Sequence, residues 1–363
     1  MTALESIIRE MILENGPMSL ETYMTLALSH PVYGYYRSKA PLGAQGDFIT
    51  APEISQMFGE LIGLWCVEVW RLMGEPKTFH LVELGPGRGS LMADALRAAR
   101  VAPHFLNAVE LHLVEISAPL RETQRQALAG SGIEPHWCET IAEVPPGAAI
   151  FIANEFFDAL PVRHYVRNSV GWRERLVGLD EAGRLTFGLA AEHEESIAAK
   201  GEPQDILEVD VGASRIMTRL AARIVSQSGA LLAFDYGYAE PARGETLQAV
   251  RRHQFVDPLQ DPGEADLTAH VNFTSLARAA RAVGANVHGP LKQGQFLSRL
   301  GIFDRAAILQ RGADPRQSAE IDAAAQRLAG GFDRPTDMAQ LFKVLVVTPR
   351  EFDAPPGFEE EPA

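Results

Sequence analysis

The chain has 363 residues, 46% hydrophobic and 22% charged, with a formal net charge of −14. That composition excludes a disordered chain and suits one large or two smaller globular units; the negative charge argues against nonspecific attraction to nucleic acid and fits a cationic partner better. Two cysteines, Cys66 and Cys138, give no disulfide framework and no metal-ligand spacing, and each reads as a small buried hydrophobe.

In chain order, residues 4–14 and 19–29 read as short helices, the first stopped by Gly16 and Pro17. Glu5, Glu10 and Glu14 interrupt the first apolar pattern, which does not suit a secretory signal, and no apolar run is long enough to span a bilayer. The expectation is a cytoplasmic protein without membrane insertion. SHPVYGYYRSKAPLGAQGDF follows as a long loop, and long ordered loops tend to carry function. TAPE then has capping-box spacing, Thr50 answered by Glu53, ahead of a helical face of Ile54, Phe58, Leu61, Ile62, Trp65 and Val69.

From residue 79 short apolar runs alternate with helical patterns. Strands are expected at 79–84, 111–116, 148–154 and 229–237, with helices near 90–99 and 117–129. That alternation means α/β, a parallel sheet covered on both faces. The beat breaks between 162 and 200, where three segments look antiparallel; a helix ending at Gly229 restores it, and 239–272 is again irregular. NFTSLARAARAVGA reads as a capped helix, 341–349 as a late strand, and the Pro- and Glu-rich tail at 351–363 as frayed.

FHLVELGPGRG places Gly85, Gly87 and Gly89 between the first strand and its helix. A triphosphate loop needs GxxxxGK[ST] and no Lys follows these glycines; a dinucleotide fold has GxGxxG, and the spacing here is GxGxG. Glu83 is the informative residue. A fixed carboxylate beside the turn repels pyrophosphate and attracts the ammonium and sulfonium of S-adenosylmethionine. Glu115, ending the next strand, can accept ribose hydroxyls. The plainer alternative keeps Glu83 as a solvated strand-end acid and Glu115 as the cap of the helix that begins at Ser117.

The fourth strand ends in Asn154-Glu155-Phe156-Phe157-Asp158 and the fifth in Asp235-Tyr236-Gly237-Tyr238. Methyl transfer from a sulfonium needs orientation and control of the acceptor and requires no metal. A guanidinium acceptor calls for paired carboxylates, and Glu155 and Asp158, three apart, could share one turn of helix; equally, Asp158 could cap a turn while Glu155 faces water. Asp235 and His270 could each be structural, Arg88 could lie on the solvent side or pair with an acid, and Trp137 could flank adenine.

GDFITAPEISQMFGELIGLW, VELGPGRGSLMADALR, ANEFFDALPVRHY, DYGY and DLTAHVNFTSLA together resemble the MidA-type methyltransferase family, over nearly the whole chain. The resemblance implies a Rossmann-like class I methyltransferase sheet with an N-terminal helical cap and an inserted β-rich region. It also implies S-adenosylmethionine as donor and symmetric dimethylation of an arginine in a subunit of respiratory complex I. It places the cofactor motif on Glu83, Gly85, Gly87, Gly89 and Glu115, with Asn154 and Thr50 alongside, and the catalytic acids on Glu155 and Asp158. The stretch carrying Asp47, Thr50 and Glu53 would close over the donor. The division expected is a cap and covering loop at 1–75, a methyltransferase core at 76–161 and 229–350, an insertion at 162–228 and a flexible tail at 351–363. With no mitochondrial presequence visible, the reading is a bacterial relative. Two rivals remain beside the protein-arginine enzyme: a small-molecule methyltransferase, and a donor-binding assembly chaperone that needs no catalysis.

Overall fold

The central sheet of the computed structural model, which describes residues 1–38, 50–240, 243–331 and 337–359, has eight strands among these residues, of which Val271–Asn272 is a short addition and seven form the continuous path. They are β1 (Phe79–Leu84), β2 (Val109–Val114), β3 (His136–Cys138), β4 (Ala149–Asn154), β5 (Gly229–Tyr238), β6 (Asn286–Lys292) and β7 (Phe342–Thr348). The order is β3-β2-β1-β4-β5-β7-β6. β7 runs antiparallel to both of its neighbours, β5 and β6, and the other pairings along this path are parallel. Strand order reverses between β1 and β4, the place where an open α/β sheet leaves a crevice beyond its carboxyl ends.

β1 and β4 are buried along their whole length because helices cover both faces, which is why they read as unbroken apolar runs rather than alternating ones. On one face Phe79, Leu81, Ile150 and Ile152 meet helices Gln56–Leu72, Ser90–Ala98 and Pro315–Ala329. On the other, Val82, Leu84, Phe151 and Ala153 meet Val211–Gln227 and Phe273–Ala282. Each such Leu, Ile, Val or Phe contributes about 1.5–3 kcal/mol by leaving water. Helix Gln56–Leu72 lies tight on Ser90–Ala98: a Cβ on Gly63 would come within 2.3 Å of the Ala95 carbonyl. That contact fixes where the second helix begins, and so where the glycine turn ends.

A third apolar cluster builds the cap. Leu4, Ile8, Leu20, Tyr23 and Leu28 of the two N-terminal helices pack on Val162, Val177, Ala249 and Leu267. Val177, Ala249 and Leu267 come from two small antiparallel sheets, one formed by 163–209 with Met18–Ser19 and one by 248–268, and Val162 immediately precedes the first. Helices Gln56–Leu72 and Val211–Gln227 pack on the central sheet, while Leu247, Ala249, Leu259, Ala265 and Leu267 pack with the N-terminal helices.

Three local expectations are corrected. Thr50 makes no side-chain cap; Glu53 instead accepts from Ser90 Oγ at 2.6 Å. The helix breaks at extended Ser55, whose hydroxyl caps Gln56–Leu72. The described part of the tail is docked rather than frayed, because Trp65 Nε1 donates to the Pro356 carbonyl at 3.2 Å and Arg299 to that of Gly357 at 3.1 Å. Finally, the NEFFDALP segment forms turns and no helix.

Candidate active site

At the carboxyl ends of β1, β2, β4 and β5 lies a cavity of about 910 Å³, near the upper end of the usual range for ligand sites. Glu83, Gly85, Gly87, Glu115 and Asn154 line one part of it, and Glu155, Asp158, Tyr236, Asp266 and Thr268 another; Thr50 and Glu53 also reach it. Asp47 lies outside the described residues.

The glycine turn is built from left-handed backbone: φ is 63°, 54° and 83° at Gly85, Gly87 and Gly89. A Cβ at Gly85 would stand 3.3 Å from the Phe156 ring, and one at Gly89 3.3 Å from Gln124 Cα, so both positions favour glycine on conformation and on space. Arg88 is exposed at the rim.

Glu83 is buried, and its Oε2 has no protein partner. Burial first, and the neighbouring Glu115 second, push its carboxyl up to about 8. It is therefore no solvated strand-end acid but a buried one waiting for a cation. Glu115 is anchored locally and also lines the cavity. Its Oε1 accepts from the Ser117 amide at 2.8 Å and its Oε2 from Gln124 at 3.1 Å, yet it still faces the cavity.

Gln124, which sequence reasoning did not single out, ties these parts together. Its Nε2 donates to the Gly87 carbonyl at 2.7 Å as well as to Glu115, and its Oε1 accepts from Trp137 Nε1 at 2.8 Å. Trp137 thus holds Gln124, with Arg125 stacked 4.7 Å from its ring; it is not among the residues lining the cavity. Gln124→Leu is expected to weaken S-adenosylhomocysteine binding about tenfold, since each lost hydrogen bond is worth about 1 kcal/mol. Calorimetry on the variant checks this, and unchanged affinity would reduce Gln124 to a packing residue.

Glu155 and Asp158 do face the same space, but from a turn. Glu155 has φ of 50°, an uncommon conformation for a residue with a Cβ. Its amide donates to the Phe234 carbonyl at 2.9 Å. Its Oε1 accepts from Asn154 at 3.3 Å and from the Ala51 amide at 3.4 Å, which brings the TAPE segment against it. Burial and the Asp158 charge push Glu155 up to about 8. Asp158 also rises with burial, to about 6, with the Tyr236 hydroxyl pulling the other way.

Asp235 stands behind this pair as its support. Its Oδ2 accepts from the Phe157 and Asp158 amides at 2.9 and 3.2 Å, and its Oδ1 from Tyr236 at 3.0 Å. Asp266, also missed in the sequence, accepts from the Tyr36 hydroxyl at 2.8 Å. Burial and the charges of Asp266 and Asp158 hold that phenol well above its usual range. His270 is not among the cavity-lining residues; its ring stacks edgewise on Tyr236 with centroids 5.4 Å apart.

A family model described as an S-adenosyl-L-methionine-dependent methyltransferase matches residues 61–291. The chain belongs to the MidA-like methyltransferase family. It is 39% identical over 340 residues to the Danio rerio protein arginine methyltransferase NDUFAF7, mitochondrial, covering 85% of this chain and 79% of that one. The Homo sapiens protein of the same name is 36% identical over 370 residues, covering 94% and 82%. A crystal structure from Burkholderia thailandensis, bound to S-adenosyl-homocysteine, superposes with a TM-score of 0.83 at 28% identity, covering 98% of this chain and 94% of that one.

The MidA-like enzyme therefore uses S-adenosylmethionine, and its site fits that donor. The orphaned Oε2 of Glu83 suits a cation, the glycine turn admits a ligand close to the backbone, and Glu115 suits a ribose. Three more buried polar atoms without protein partners, Asn154 Oδ1, Asp158 Oδ1 and Thr268 Oγ1, belong to residues lining the same cavity.

Proposed function

We propose that this MidA-like enzyme methylates the guanidinium of an arginine in a protein. The observation that carries the reading is the acid-lined part of the cavity: Glu155, Asp158 and Asp266, each largely withdrawn from water, with Tyr36 and Tyr236 between them. Clustered buried carboxyls repel one another and pick up protons; a planar cation with several N–H donors relieves that repulsion and satisfies their oxygens. A neutral small acceptor would leave the acids uncompensated. The relatives' names support the same acceptor.

The donor supplies a methyl group already activated on sulfur. The chain's acids fix the guanidinium plane and bias one nitrogen toward it. As that nitrogen gains the methyl carbon and the carbon–sulfur bond breaks to leave S-adenosylhomocysteine, one N–H proton leaves; Glu155, pushed up to about 8 by burial and the Asp158 charge in the empty site but kept ionised once the guanidinium lies beside it, is the group suited to take it. The phenol of Tyr236 steadies Asp158, and Asp235 holds the turn that carries both acids. Symmetric dimethylation, and a subunit of a respiratory complex as the acceptor protein, complete the proposal.

Incubation with donor labelled in the methyl group and a cell extract tests it. Label is expected in the protein fraction. Label confined to small molecules would transfer the chain to a small-molecule methyltransferase.

A further inference from the structure

Away from the glycine turn, on the opposite face of β1 from Glu83, three donor atoms converge. His80 Nδ1 lies 3.1 Å from His112 Nε2 and 3.2 Å from Glu110 Oε2, and the ligand atoms of all three residues fall within 4.8 Å of one another. The two histidines are 7% and 4% exposed, so this is a built feature of the sheet and not a surface coincidence. Register explains the meeting: His80 pairs with Glu110 across β1 and β2, and His112 with Val82 one step along. His136, paired with His112 across β2 and β3, holds its ring 5.5 Å away.

The hydrogen bonding of His80 leaves one ring nitrogen aimed into the cluster. Its Nε2 lies 3.3 Å from the Pro146 carbonyl. A carbonyl only accepts, so Nε2 carries the hydrogen and a neutral ring turns the Nδ1 lone pair inward, where it meets the Glu110 carboxylate as a second acceptor. His112 Nδ1, fully buried, has no partner. A ring nitrogen anchored to a backbone carbonyl while its other nitrogen points at a carboxylate and an imidazole is the arrangement that metal-ligating histidines show. Tetrahedral zinc, with ligand distances of about 2.0–2.1 Å, sets its donors about 3.3 Å apart, close to the spacings above.

We infer that His80, Glu110 and His112 form a site for one divalent transition-metal ion, zinc by its nitrogen and oxygen donors, with His136 or water as fourth ligand. Glu110 is half-exposed and gives the ion a way in. Arg223 is the opposing charge near His112. It is occupied by the Val144 and Pro145 carbonyls and by the Phe151 ring 5.3 Å away. The ion would pin β1, β2 and the Pro146 turn together. Its role is structural and independent of methyl transfer.

The test uses the full chain without an affinity tag, stripped with chelator and equilibrated with zinc or cobalt(II). One equivalent per chain is expected, with cobalt giving the visible bands of a low-coordinate site. His80→Gln and His112→Gln should each weaken uptake by at least about tenfold while S-adenosylhomocysteine binding persists. If either variant fails to fold, Glu110→Gln, at the exposed edge, supplies the same comparison. No retained metal at micromolar free zinc, or undiminished uptake in His80→Gln/His112→Gln, would overturn the inference.

Discussion

Glu155→Gln is expected to lower methyl transfer by about a hundredfold or more, the usual worth of a positioned general base, with donor binding preserved. The substitution keeps the side-chain shape and the contacts from Asn154 and the Ala51 amide, so the turn should hold. What it removes is the ionisable oxygen that orients and deprotonates the acceptor. Asp158→Asn should act in the same direction with a smaller effect, because Asp158 sits lower, at about 6, and is a weaker proton acceptor. The informative readout is the split between rate and affinity: single-turnover rates fall while S-adenosylhomocysteine titrates normally. A full-rate Glu155→Gln enzyme would remove the base from this position. If instead the variant lost catalysis yet still supported assembly of its partner complex in cells, the chain would act there as a scaffold.

The second large effect belongs to Glu83. Removing its carboxylate in Glu83→Gln should cost about 1.5–3 kcal/mol of donor binding, the range for a hydrogen bond to a charged group. The sign of the pH dependence follows from its raised pKa. In the ligand-free protein the carboxyl titrates near 8, so at pH 7 it is mostly protonated, whereas a cationic donor is held by the ionised form. Affinity should therefore rise as pH climbs toward 8, by up to tenfold per unit, and level off above it. At neutral pH binding should expel close to one proton, measurable as a dependence of the binding heat on buffer ionisation. Glu83→Gln should abolish both the slope and the buffer dependence; a wild-type affinity that is flat between pH 6 and 9 would contradict this account.

The parts of the fold legible in the sequence are those set by local pattern. β1 is recognisable from 79–84 because all its residues are buried and four of the six are apolar, and the glycines after it announce a turn only they favour. The acid positions Glu83 and Glu115 stand out for the same reason, as charges at the ends of apolar strands. What stayed hidden depends on contacts between distant segments. Thr50 and Glu53 have capping-box spacing, but Ser90 draws Glu53 away. Glu155 and Asp158 have helical spacing, but the backbone reverses at Glu155, anchored to Phe234. Tyr36 and Asp266 lie in stretches the sequence marks out, but their individual roles, like that of Gln124, depend on contacts between distant segments. The histidine cluster is the extreme case, since His80 on β1 meets Glu110 and His112 on β2 only through sheet register.

The measurement that bears most directly on the central claim is amino-acid analysis of protein labelled by this enzyme from methyl-labelled donor. The account predicts label on the terminal nitrogens of arginine, absent from the Glu155→Gln reaction. Label on lysine or as base-labile methyl ester, or donor binding without any protein-bound label in extracts containing the acceptor, would contradict it.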